Sequence, residues 1–295
     1  GLYMGAIRLD GKVCAARVEA SLISRIQTLV EGGKSPHLAV VIVGDDPASH
    51  VYVKSKERAC ERLGIRSTRI DLPADASFDK VMATVDSLNQ DPDIDGILVQ
   101  SPLPRGMDEL AITDHILPEK DVDGFHPVNL GRLVQGRLDG LLPCTPAGVM
   151  HLLKDVELDL TGLKAVVLGR SRIVGMPMAL LLAARGADAT VTVVHSRTTD
   201  IEAHCRDADL IVAAVGRPEM VRSEWIKPGA IVVDVGINRV DDSSNVRGYR
   251  LCGDVEADAD SIASYMTPVP GGVGPMTIAM LMSNTVRAAE MRNTP

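Results

Sequence analysis

The chain predicts a two-domain α/β protein, and three observations carry that expectation. Its 295 residues exceed what one hydrophobic core ordinarily organises, so two cores are expected. Short aliphatic runs alternate with amphipathic stretches, which is the order of a parallel sheet wrapped by helices. Aromatic residues make up 2% of the chain against 45% hydrophobic residues overall, so Val, Ile, Leu, Met and Ala must fill the cores, as they do in sheets covered on both faces.

In chain order, the first strands are HLAVVIVG (37–44), GIRSTRIDL (64–72) and DGILVQ (95–100), with helices at about 47–63 and 77–89 between them. A second series opens after PCTPAG (143–148) and runs through KAVVLG (164–169), ATVTVVH (189–195), DLIVAAVG (209–216) and AIVVDVG (230–236). These four strands look like a complete sheet. The helical stretch from Pro275 to about Arg292 therefore reads as a return to the first domain. That places residues 1–145 and 276–295 in the N-terminal domain and 146–275 in the C-terminal one.

A formal charge of −8 argues against a nucleic-acid or anionic-membrane surface, because phosphate binding draws on excess Lys and Arg. A small ligand is expected instead. The cysteines, at 14, 60, 144, 205 and 252, stand far apart with no CxxC pair, so neither a zinc site nor a disulfide framework is expected, and the reduced cytoplasm fits best. No apolar run reaches membrane-spanning length. The first residues lack the order of a signal peptide, and Gly1-Leu2-Tyr3 before Met4 reads as a tag remnant.

Gly169 ends an apolar strand, and GRSRIVGMP leads through Gly175 into the helix-forming MALLLAARG. Such a turn offers backbone N–H groups and a helix N-terminus to a pyrophosphate. The spacing departs from GxGxxG, so the turn alone is a weak signal. At the end of the next strand an NAD enzyme would carry a carboxylate for the ribose hydroxyls, whereas this chain has His195, Ser196 and Arg197. With Arg170 nearby, positive charge stands where a 2′-phosphate would sit, and NADP is expected over NAD.

In SHVYVKSKERACERLGI (49–65), Tyr52 and Lys56 lie four residues apart and share a helix face. Tyr52 can stack on a flat ring while Lys56 reaches its reacting atoms. A lysine acts as acid or base near neutral pH where desolvation or neighbouring cations favour its neutral form, and Lys54 and Arg58 stand beside it. Gln100 falls at the carboxyl edge of the first sheet, where α/β ligands bind. In KDVDGFHPVN (120–129), Asp121 and Asp123 flank a tight turn next to His126. No further ligand stands at metal spacing, so a ligand-binding Asp is expected and no metal.

Seven strings in register resemble the bifunctional methylenetetrahydrofolate dehydrogenase/cyclohydrolase family, the FolD type. They are YVKSK (52–56), GILVQSPLP (96–104), KDVDGFHPVNLGRL (120–133), PCTPAG (143–148), GRSRIVGMP (169–177), DVGIN (234–238) and TPVPGGVGPMT (267–277). The resemblance implies an N-terminal folate-binding domain and a C-terminal Rossmann-type NADP-binding domain, with the last helix returning to the first. It implies oxidation of 5,10-methylenetetrahydrofolate and hydrolysis of the product to 10-formyltetrahydrofolate, within one-carbon metabolism and purine biosynthesis, by a homodimer paired through the nucleotide domains. By position it makes Lys56 the catalytic lysine, with Gln100 bonded to it and Tyr52 stacked on the folate. It puts Val99, Gln100, Ser101, Asp123, Pro270, Gly271, Gly272, Val273 and Gly274 on the substrate, and Gly169, Arg170, Ser171, Ser196 and Ile237 on NADP. Ser101 departs from the family, which more often has Leu there. No GxxxxGK[ST] loop is present, which argues against a formate-activating ligase.

Overall fold

The structure, a computed structural model, describes residues 5–293. The reading of Gly1–Tyr3 as a tag remnant lies outside them. In chain order they form β1 (Ile7–Arg8), α1 (Gly11–Glu31), β2 (His37–Val43), α2 (Pro47–Leu63), β3 (Arg66–Leu72), α3 (Phe78–Gln90) and β4 (Gly96–Val99). Then come α4 (Glu109–His115), α5 (Pro127–Val134), α6 (Cys144–Asp155), β5 (Lys164–Leu168), α7 (Gly175–Ala183), β6 (Thr190–Val194), α8 (Ile201–Asp207), β7 (Leu210–Ala213) and β8 (Ile231–Asp234). A hairpin of β9 (Asn238–Asp241) and β10 (Tyr249–Cys252) follows, then β11 (Tyr265–Met266) and α9 (Val273–Arg292). No described helix is long and apolar enough to cross a membrane.

Among the described residues, 16–144 and 278–293 form one compact unit, and 5–15 with 145–277 form another. The first is built on a parallel sheet of order β3-β2-β4. Its central strand β2 is buried at six of seven positions, as a strand covered on both faces must be. One face packs on Val81 and Val85 of α3 and Ile112 of α4, each fully buried aliphatic side chain stabilising the fold by about 1.5–3 kcal/mol.

α2 starts with Pro47 in its first turn and stops at Gly64, whose left-handed backbone (φ 78°) lets its N–H reach the last carbonyls. This explains why β3 begins at Arg66 rather than at the expected residue 64. The second half of α9 completes this unit, as the return of the final helix predicted. Arg25 of α1 grips Glu290 through two bonds of 2.5 and 3.1 Å, Met282 packs its sulfur on Cys60, and Arg292 reaches Asp95 at 3.1 Å.

The second unit carries a sheet of order β1-β11-β8-β7-β5-β6, parallel throughout. The four strands expected from the sequence form its body, and β11 and β1 extend it. Ile7 and Arg8 pair with Tyr265 and Met266, so the chain's first described residues sit in this sheet, where the sequence boundary at 145 had grouped them with the other domain. Two-residue strands carry no periodicity by which a sequence could reveal them.

Candidate active site

In the three-stranded unit, the order β3-β2-β4 puts the topological switch between β2 and β4, the edge where open α/β sheets bind ligands. Gln100 leaves β4 at that edge, its N–H donating to the Val41 carbonyl at 2.8 Å. It is 8% exposed. Its side chain is committed at both ends: Oε1 accepts from Lys56 Nζ at 2.6 Å and Nε2 donates to the Ser101 carbonyl at 3.0 Å. Ser49, buried in the first turn of α2, donates to Asp46 at 3.0 Å and approaches the same Ser101 carbonyl. The helix that carries Lys56 is thus tied to the loop that carries Gln100. One turn before Lys56, Tyr52 is 57% exposed, which suits a side chain that meets a ligand. Val99 is half-buried and Ser101 exposed, and the Ser101–Pro102 peptide is cis.

Asp123 arrives from a separately braced loop. Asp121, buried, accepts from the N–H groups of Gly124 (3.1 Å) and His126 (2.8 Å) and from Asn129 Nδ2 (2.9 Å). Its oxygens therefore hold the turn, and Asp123 is the carboxylate left half-buried. Lys120, 1% exposed, sends Nζ to the carbonyls of Leu88, Asn89 and Asp91 at 3.0, 2.9 and 2.7 Å, capping the end of α3. Asn284 of α9 donates to the Val122 and Leu142 carbonyls at 2.9 Å each. Burial pushes the Cys144 thiol well up, with the Asp123 charge pushing the same way and the Lys56 charge pulling back.

Pro270, Gly271, Gly272, Val273 and Gly274 belong to the six-stranded unit. The Val269–Pro270 peptide is cis, and Gly271 takes a positive φ of 97° while its carbonyl accepts from Gly11 N–H at 3.0 Å. Gly274 closes on Ile237: a Cβ on it would stand 3.5 Å from Ile237 Cδ1. The segment expected against substrate and a residue expected against cofactor thus adjoin.

Of the cofactor candidates, Gly169, Arg170 and Ser171 follow β5, Ser196 follows β6 and Ile237 follows β8, on the carboxyl edge of a sheet whose switch lies between β5 and β7. Gly169 donates to the Val194 carbonyl at 2.9 Å, joining the ends of β5 and β6. A Cβ on Gly169 would overlap the Ala214 carbonyl, and one on Gly175 would overlap the backbone of Gly169. Only glycine lets these backbones close into a cradle at the N-terminus of α7. Ser171 Oγ accepts from the N–H of Val174 at 3.0 Å, which fixes the turn, and Arg170, Ser196 and Arg197 are exposed along the same edge. This cradle and its basic rim fit a dinucleotide phosphate.

Two aspartates that the sequence reading passed over underlie this edge. Asp234, 2% exposed, accepts from the N–H groups of Gly236, Asp254 and Val255 at 2.9–3.0 Å. Burial raises its carboxyl to about 6, against the pull of those N–H groups and with the help of the Asp254 charge. Asp254, fully buried, accepts from Val215 (2.8 Å), Gly216 (3.0 Å) and Arg217 (3.1 Å) N–H and from Asn238 Nδ2 (2.9 Å). The available signal was the glycine beside each acid, Gly236 and Gly253, since a Cβ on either would strike the other's carboxylate.

The family model described as tetrahydrofolate dehydrogenase/cyclohydrolase, catalytic domain, matches residues 9–123, and the NAD(P)-binding domain model of the same family matches 143–293. The chain belongs to the tetrahydrofolate dehydrogenase/cyclohydrolase family. Among relatives in that family, the bifunctional protein FolD of Campylobacter curvus is 52% identical over 285 residues, 96% of each chain. The solved bifunctional FolD of Campylobacter jejuni superposes with a TM-score of 0.92 at 48% identity, covering 97% of this chain and 99% of that one. Trypanosoma brucei methylenetetrahydrofolate dehydrogenase-cyclohydrolase, solved with NADP and an inhibitor, gives 0.92 at 41% identity over 98% of each. The tetrahydrofolate dehydrogenase/cyclohydrolase assignment therefore spans both units, as the seven strings implied.

Proposed function

We propose that this chain oxidises 5,10-methylenetetrahydrofolate with NADP and hydrolyses the methenyl product to 10-formyltetrahydrofolate. The observation that carries the reading is the 2.6 Å bond between Lys56 Nζ and buried Gln100 at the ligand edge of the sheet, in a chain whose family performs both reactions. When bound, NADP supplies the hydride acceptor. Gly169, Arg170, Ser171, Ser196 and Ile237 hold it.

For the oxidation the chain's task is alignment. Tyr52 stacks on the folate rings and Asp123 takes the pterin's amino and ring N–H in a bidentate contact. Val99, Gln100 and Ser101 line the substrate beside them. Alignment of this kind lowers a barrier by about 7–11 kcal/mol in the best cases. For the hydrolysis, water adds to the methenyl carbon and a carbon–nitrogen bond opens, so a proton must move. Lys56 takes a proton from the attacking water, and as the carbon–nitrogen bond opens the adduct's hydroxyl proton passes to the departing nitrogen, so that one proton is released overall. The bond of Lys56 to buried Gln100 fixes where Nζ stands.

The test follows NADPH and the methenyl compound separately in acid-quenched samples. NADPH formation without matching methenyl accumulation is expected. Matched accumulation means a dehydrogenase alone, and silence with either NADP or NAD means a non-catalytic nucleotide binder. Arg170→Ala should raise KM for NADP about tenfold, the scale of one charge-assisted bond, and leave NAD kinetics unchanged; an equal effect on both cofactors refutes 2′-phosphate recognition by Arg170.

The protein is further proposed to be a cytoplasmic homodimer that serves purine biosynthesis. Five buried cysteines outside any disulfide suit a reducing compartment. The β9–β10 hairpin pairs only with itself among the described residues and exposes Val246 and Leu251, and so small a sheet is marginal without a partner.

A further inference from the structure

We propose that Asp254 is a positioning residue for the cofactor site, a carboxylate that fixes the Val215–Arg217 loop and the Gly236–Asn238 loop on one buried anchor. The proposal rests on the reading that NADP occupies the edge formed by Gly169, Ser196 and Ile237. Three successive backbone N–H groups converge on the Asp254 carboxylate, and Asn238, next to Ile237, supplies a fourth donor. In a trans peptide the N–H and the preceding C=O point in opposite directions. Turning the Val215 N–H onto Asp254 therefore turns the Ala214 carbonyl away from it, and that carbonyl is the atom that a Cβ on Gly169 would strike. One carboxylate thus sets the peptide that closes over the glycine cradle and, through Asn238, the loop that presents Ile237.

Asp234 holds this anchor in register. It binds the backbone N–H of Asp254 itself and of Val255, and its own N–H donates to the buried Thr267 hydroxyl at 2.8 Å. Gly236 and Gly253 carry no side chain at the points where each carboxylate passes the other's loop. The two acids lie behind the proposed nucleotide contacts rather than among them, so their effect on the cofactor is exerted through the loops.

Asp254→Asn changes size little but sets an amide N–H₂ against backbone donors. Calorimetric titration of the full chain with NADP should show a dissociation constant raised at least about tenfold, the loss of one or two bonds to a charged acceptor. Hydrolysis of the methenyl compound, which needs no nucleotide, should keep its rate within about twofold, and the dehydrogenase should lose in KM for NADP more than in kcat. A purely structural role predicts a lowered unfolding temperature with NADP affinity unchanged, and that result overturns the proposal. If the wild-type chain itself takes up no NADP, the cofactor reading falls and takes the proposal with it; wild-type binding with unaltered affinity in D254N removes the proposal alone. Should D254N yield no folded protein, Asn238→Ala decides, since it deletes one bond and leaves the carboxylate. An affinity loss of about three- to fivefold supports the anchor, and no loss overturns it.

Discussion

Lys56→Ala is expected to remove the hydrolytic reaction, with a fall of about 10²–10⁴-fold, the usual contribution of a positioned proton-transfer group. Alanine leaves no group in place of Nζ, and Gln100 Oε1, which now accepts from Nζ, loses its partner at an edge where it is otherwise buried. Oxidation should fall by an equal or smaller factor, because hydride loss is assisted by the folate nitrogens and needs no base. Assaying hydrolysis of the methenyl compound alone and oxidation alone separates the two effects. A variant with full cyclohydrolase activity removes Lys56 from the mechanism.

Lys120→Met should cost about 3 kcal/mol of stability, read as a lowered denaturation midpoint. Lys120 Nζ satisfies three carbonyls at the end of α3, and losing the donor strands the buried Leu88 carbonyl at about 1–3 kcal/mol and the part-buried Asn89 and Asp91 carbonyls at less. The apolar gain from methionine offsets part of that. Burial already disfavours the charged lysine, lowering its pKa from the ordinary value, with Arg292 nearby pushing the same way. Asp123 sits three residues further along the braced loop, so folate affinity should weaken as well. An unchanged midpoint would mean that water serves the α3 carbonyls as well as Lys120 does.

Seven strands of the two sheets were legible because aliphatic runs such as Leu38–Val43 have no other use in an aromatic-poor chain. The Tyr52–Lys56 spacing was legible because helical periodicity is local, and the Gly169–Gly175 turn because glycine marks close backbone approach. What escaped depended on distant partners. β1 is a strand only because Tyr265 and Met266 lie beside it. Asp234, Asp254 and Lys120 look like surface residues in a sequence, since their burial depends on backbone groups gathered from elsewhere: for Asp254, Val215–Arg217 lie almost forty residues back. Asp121 and Asp123 could be told apart only after the turn had claimed the first.

The closing role of α9 in the three-stranded unit bears on biosynthesis. Residues 16–144 hold the sheet and Lys56, but Met282, Asn284, Glu290 and Arg292, which pack on them, are translated after the whole of 145–277. At ordinary elongation speeds that gap lasts on the order of 10 s. For that interval Cys60 and the Val122 and Leu142 carbonyls stand without the helix that covers them. A nascent chain in this condition exposes apolar surface that a chaperone can hold, and the unit bearing Lys56 and Gln100 is finished last although most of it is made before residue 145.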